Sequence, residues 1–141
     1  MTRPLFVYGT LLPALAKPRQ AALTARLARL GPATVAGRLY DLGPYPVIVL
    51  DPAGTARVRG ELLGPPDDAD LAALDAYEQC DPANSGGSLF VRVETTATDA
   101  AGRAVPCWLW AYNGPTDGAT PIDDGDYAAW VNAGRGRPDY E

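Results

Sequence analysis

The chain has 141 residues, 47% apolar and 21% charged, which suits a single soluble domain with a real core and leaves hardly any room for two. Its net charge of −5 argues against nucleic acid as a partner, since phosphate binding needs a clustered basic surface. There is no histidine, so Ser-His-Asp and Cys-His nucleophile systems and most catalytic zinc sites are excluded.

In chain order, Leu5-Phe6-Val7-Tyr8 is a short β-favouring run that stops at Gly9, so a first strand feeding a tight loop is predicted. Leu5 to Leu15 is apolar but broken by Gly9 and Pro13, and it lacks a signal peptide's layout. No run approaches the roughly 20 apolar residues of a membrane helix. The expected location is therefore the cytoplasm, with no membrane partner. After Pro18, Leu23, Leu27 and Leu30 recur at i, i+4 and i+7, predicting an amphipathic helix that Gly31-Pro32 ends. Strands are predicted over 34–40, 46–50 and 57–63, the latter two joined through Asp51-Pro52-Ala53-Gly54.

Asp67, Asp68 and Asp70 crowd the start of a second helix, where carboxylates complement the dipole. Leu71, Leu74 and Glu78 follow at i, i+3 and i+7, which puts Glu78 on the apolar face in the last turn. A break over 81–88 leads into a strand over 89–96, and a turn over 99–102 returns the chain as 103–112 in an antiparallel hairpin. From Asn113 the sequence is Gly- and Pro-rich, and residues 113–141 read as an irregular C-terminal segment with one short helix from Asp126 to Val131. Residues 1–141 thus form a single α+β domain, a curved mixed sheet in a partly closed barrel flanked by helices.

Without histidine, acid–base chemistry near neutral pH falls to a tuned carboxylate, Lys, Tyr or Cys. Glu78 qualifies: burial and the negative end of its helix both disfavour its charged form. An exposed helix-end glutamate, or one paired with Arg92, is the competing reading. The loop Tyr8-Gly9-Thr10-Leu11 can turn successive N–H groups toward an anion or a carbonyl oxygen, or be a plain turn. Trp108, Trp110 and Tyr112 share a strand face that either packs the core or stacks on a ligand. Cys80 and Cys107 make neither a disulfide framework nor a metal pair, and both are expected to be reduced. Asp123-Asp124-Gly125-Asp126 lacks the rest of a calcium loop and reads as a turn and helix cap.

Phe6-Val7-Tyr8-Gly9-Thr10-Leu11 resembles the signature of the gamma-glutamyl cyclotransferase-like family. Tyr45-Pro46-Val47-Ile48, Gly60-Glu61-Leu62, Leu74-Asp75-Ala76-Tyr77-Glu78, Phe90-Val91-Arg92-Val93 and Trp110-Ala111-Tyr112-Asn113 fit it in the same order. Pro44-Tyr45-Pro46 and Tyr77-Glu78-Gln79-Cys80 look most like its gamma-glutamylamine cyclotransferase branch. The resemblance implies a small mixed barrel with helices, and Glu78 as the general base. It also implies a substrate site at Tyr8, Gly9, Thr10, Leu11, Tyr45 and Tyr112. No cofactor or metal is implied, and the partner is a small gamma-glutamyl molecule converted to 5-oxoproline and a free amine by a monomer or homodimer. The chain departs from the family at Phe90, where Tyr is usual, at Gln79, and in the insertion-like Asn84-Ser85-Gly86-Gly87. A non-catalytic small-molecule binder and a protein-interaction module built on Trp108 and Trp110 are the alternatives on the same fold.

Overall fold

The computed structural model describes residues 3–43, 45–78, 88 and 90–135. Pro44, Leu89, the Gln79–Cys80 pair and the 84–87 insertion lie outside them. The first strand, β1 (Leu5–Val7), is followed by α1 (Pro18–Thr24), β2 (Arg29–Asp41), β3 (Pro46–Leu50) and β4 (Arg57–Leu63). Then come α2 (Asp68–Tyr77), β5 (Phe90–Asp99), β6 (Ala104–Tyr112), β7 (Thr120–Ile122) and α3 (Tyr127–Asn132). The strands join in the order β3-β2-β4-β1-β6-β5, and β5 pairs back onto β2. This closes a barrel of β2, β4, β1, β6 and β5. All its pairings are antiparallel except β1 with β6, so the sheet is mixed.

Strand β2 works twice. Its first half belongs to the barrel, while Gly37–Asp41 leaves it to pair with β3 on one side and, over Leu39–Asp41, with β7 on the other. The alternation of Ala33, Val35 and Leu39, all buried, sends every second side chain inward. With Phe6, Tyr8, Ile48, Val58, Leu62, Ala97 and Leu109 they fill one cluster, which α3 closes with Tyr127 and Trp130. A second cluster lies on the opposite face of β1 and β6. There Leu5, Val7, Leu11, Val47, Leu63, Phe90 and Trp110 meet Leu74 of α2. Leu74 is fully buried, and truncating such a leucine to alanine costs about 2–5 kcal/mol.

Two expectations are corrected. The helix after Pro18 stops at Thr24 instead of running to Leu30. Leu27 still packs against the second cluster, but Leu30 is already on β2 and 52% exposed. Gly31-Pro32 does not end a helix. It sits inside β2, at a register shift between Arg29 and Gly31, where Gly31 takes φ +116°. A glycine–proline step that looks like a stop is here a β-bulge at the barrel rim. The second correction is β7, a three-residue strand within the segment expected to be irregular.

Helix α2 has a complete capping box: the Asp67 side chain accepts from the Asp70 N–H, and the Asp70 side chain accepts from that of Asp67. The acidic start expected there is therefore structural. The same holds for the aspartates near α3, where Asp126 accepts from the Ala129 N–H and Asp124 from that of Asp126.

Candidate active site

Glu78 follows directly on α2 as its C-cap, its N–H bonded to the carbonyls of Leu74 and Ala76. It is half-buried. Burial pushes its carboxyl up from the ordinary 4.5 to about 8, and the nearby Asp75 carboxylate adds to the rise. The face that α2 buries is narrower than the leucine spacing predicts. Leu74 and Asp75 are buried, while Leu71 is only half-buried and lines an outer cavity.

The competing reading, Glu78 paired with Arg92, does not hold. Arg92 Nε instead donates to Asp75 Oδ1 at 3.0 Å, and Trp110 Nε1 donates to the same oxygen at 2.9 Å. Asp75, 5% exposed, escaped the sequence reading. The signal was present in its position three residues before Glu78, on the same side of the helix.

The strand-to-loop transition after β1 brings the second candidate to Glu78. The loop turns with a Leu12 N–H to Gly9 C=O bond of 3.0 Å, and Leu12 C=O accepts from the N–H groups of Leu15 and Ala16. Among the described residues, no acceptor is bonded to the N–H groups of Gly9, Thr10 or Leu11. Gly9 is required here by a neighbour. A Cβ at this position would lie 2.6 Å from Pro46 Cγ, inside contact distance. The Thr10 and Tyr77 hydroxyls share a 2.8 Å hydrogen bond, which ties the loop to the last turn of α2. The Arg19 guanidinium of α1 lies 5.9 Å from the centre of the Tyr77 ring.

Tyr8 is buried and donates its hydroxyl to Trp110 C=O at 2.8 Å. Burial, with the Glu78 charge second, holds its phenol well above the usual 10, so it stays a neutral donor. Tyr45 is raised too, by burial first and then by Tyr112 and Glu78. Phe90 lies between these two tyrosines, 5.8 Å from Tyr45 and 5.7 Å from Tyr112 between ring centres, giving a wall of three aromatic rings. The structure thus gathers Glu78, Tyr8, the loop, Tyr45 and Tyr112 at one end of the barrel, where β3 approaches β6.

A model of the family described as gamma-glutamyl cyclotransferase, AIG2-like, matches residues 5–129. The chain belongs to this family. Its five-stranded barrel with extra strands and helices is the fold of solved relatives. YkqA from Bacillus subtilis is 21% identical with a TM-score of 0.73, over 96% of this chain and 43% of that one, so the chain spans less than half of YkqA. The protein ytfP from Escherichia coli is 30% identical with a TM-score of 0.62, over 88% of this chain and 95% of its own. A structure described as a gamma-glutamyl cyclotransferase is 18% identical with a TM-score of 0.58, over 79% of this chain and 67% of that one. No curated protein sequence matches the chain.

The tryptophans divide. Trp110 is 2% exposed beneath α2, whereas Trp108 is half-buried with the Arg92 guanidinium 4.8 Å from its ring centre. An interaction stripe needs both rings outside, so the burial of Trp110 counts against that alternative. Cys107 is free and buried, and burial pushes its thiol up to about 11. Cys80 lies outside the described residues. Among the described residues no helix is long and apolar enough to cross a membrane, and no cluster of metal-binding side chains occurs.

Proposed function

We propose that the chain is a cofactor-independent cyclotransferase that converts a gamma-glutamyl amine to 5-oxoproline and the free amine, in the cytoplasm, with Glu78 as the general acid and base. The observation that carries the reading is a half-buried carboxyl raised to about 8 beside a loop whose N–H groups have no acceptor among the described residues. A group with that pKa both takes and returns protons near neutral pH.

The substrate's own α-nitrogen attacks its γ-carbonyl, so the enzyme's first task is to fold the gamma-glutamyl chain into a near-attack shape. Glu78, in its carboxylate form, takes one proton from the α-ammonium. The nitrogen then bonds to the γ-carbon, and the carbonyl oxygen gains negative charge. In this reading the N–H groups of Gly9, Thr10 and Leu11 receive substrate oxygens, this one included. Glu78 delivers its proton to the departing nitrogen, the C–N bond breaks, and a second proton follows the same route from ring nitrogen to amine. Two protons leave the attacking nitrogen and two reach the leaving one, so neither water nor metal enters the balance. Tyr8, a neutral donor held by Trp110, and the wall of Tyr45 and Tyr112 complete the proposed substrate site.

Incubating the purified protein with a panel of gamma-glutamyl compounds and measuring released 5-oxoproline tests this directly. Turnover of at least one compound, reduced roughly 10²–10⁴-fold in Glu78→Gln, is expected. Binding of gamma-glutamyl compounds without any cyclisation would sink the reading in favour of a non-catalytic binder.

A further inference from the structure

Asp75 is a carboxylate taken almost wholly out of water, and the interactions that hold it come from two strands at once. Arg92 of β5 and Trp110 of β6 both donate to its Oδ1, and its side chain is 7% exposed. Arg92 is itself held, with its guanidinium over the Trp108 indole and its side chain 21% exposed toward an outer cavity of about 560 Å³. Trp110 reaches both ways, since its indole N–H binds Asp75 while its carbonyl accepts the Tyr8 hydroxyl. A continuous chain of hydrogen bonds therefore runs from Arg92 through Asp75 and Trp110 to Tyr8.

A purely structural anchor for α2 has no need of charge. An apolar residue at position 75 would pack against Trp110 without the desolvation cost of a buried ion pair. What the pair supplies is a negative charge one helical turn from Glu78, held by a cation from β5. We propose that Asp75, clamped by Arg92 and Trp110, is the positioning residue for Glu78, fixing the last turn of α2 against β6 and setting a compensated negative charge behind the reacting carboxyl. The inference rests on the cyclotransferase reading for what Glu78 does, and on the geometry alone for how Glu78 is held.

The other groups around Glu78 among the described residues are phenols or stand farther off. Tyr8 comes from the end of β1, Tyr45 precedes β3, and Tyr112 of β6 stands beside Tyr45. Tyr77 is the last residue of α2, with Arg19 of α1 over its ring. Asp75 is thus the carboxylate whose charge acts on Glu78, and Arg92 is its counter-charge.

Changing either charge should move the titration of Glu78, and in opposite directions. Asp75→Asn keeps an oxygen to accept from Trp110 and removes the negative charge. The Glu78 carboxyl, followed by carbon-13 NMR, should then titrate lower by about one pH unit. The rising limb of the kcat/KM profile should move down with it, and its high-pH plateau should fall because the carboxylate is a weaker base. Arg92→Gln leaves Asp75 uncompensated and should move the Glu78 titration up. An anchor without an electrostatic role moves neither. Unchanged Glu78 titration in a folded Asp75→Asn protein overturns the proposal. If that variant does not fold, Arg92→Gln alone decides: an upward move supports the proposal and an unchanged midpoint overturns it. Because the NMR titration needs no turnover, opposite shifts in a protein that cyclises nothing would overturn the proposed reaction and leave this inference standing.

Discussion

The side chain proposed as acid and base is in tension with the fold that holds it. Glu78 keeps its proton to about pH 8 in the native protein, whereas an unfolded chain releases it near 4.5. Between these values the native state binds more protons, so stability is full below about 4.5 and is lost as pH rises through 8. At about 1.4 kcal/mol per pH unit the loss is on the order of several kcal/mol. Glu78→Gln removes the titration. Above pH 8 the variant is expected to melt at a higher temperature than the parent, and below pH 4.5 at a similar one. Activity runs the other way, because the base must be ionised. In the parent, kcat/KM should rise with pH through an apparent pKa near 8, and Glu78→Gln should lose roughly 10²–10⁴ of the rate. Thermal melts and a pH–rate profile on the same two proteins check both halves. A folded variant with near-parental turnover would remove Glu78 from the chemistry. Glu78 stood out in the sequence as a carboxylate at helical spacing from Leu74, which the structure buries. Asp75 did not, because a lone aspartate at helical spacing looks like a solvated residue until its partners on β5 and β6 are in view.

At the scale of elements, the site depends on how the loop after β1 is pinned between β3 and α2. Pro46, the first residue of β3, occupies the space a side chain at position 9 would need, and Tyr77 ties Thr10 to α2. Gly9→Val must therefore displace either the proline or the loop, and it should damage both KM and kcat severely. Thr10→Ala breaks one partly buried hydrogen bond, a loss of about 1 kcal/mol, and leaves the backbone donors in place. Its effect on turnover should stay within roughly tenfold. Steady-state kinetics of the two variants, with circular dichroism to confirm folding, make the comparison, and equal kinetics for Gly9→Val and the parent would reduce the loop to a turn. Strands β3 and β4 were readable to the residue because turn residues bracket them. The end of α1 was not, since Leu27 and Leu30 keep the helical spacing while Leu30 actually pairs in a bulged strand. Strand β7 was too short to carry a period at all, and it exists only because β2 overshoots the barrel and offers it an edge.

At the scale of the whole molecule, the proposed reaction turns on which amine departs. The gamma-glutamyl half is common to every substrate in the class, so discrimination falls to the surface around the departing nitrogen. In the proposed site that surface is the wall of Tyr45, Phe90 and Tyr112, ring against ring. Phe90, where the family usually carries Tyr, leaves the middle of this wall without a hydroxyl. Aromatic faces attract a cation by about 0.5–2 kcal/mol. The net charge of −5 adds a weaker long-range pull in the same direction, and repels a leaving group that carries a carboxylate. An alkylamine with a distant ammonium suits both features, and lysine joined through its ε-nitrogen, whose α-ammonium balances its α-carboxylate, offers the aromatic wall a cation without net negative charge. The cysteinyl-glycine of glutathione suits neither. Gamma-glutamyl amines should therefore exceed glutathione in kcat/KM by roughly 5- to 30-fold, the rate equivalent of 1–2 kcal/mol. The preference should narrow as salt is raised, because only its long-range part is screened. Measuring both substrates side by side at two ionic strengths decides the matter. Faster turnover of glutathione would overturn the amine assignment while leaving Glu78 and its cyclisation chemistry in place.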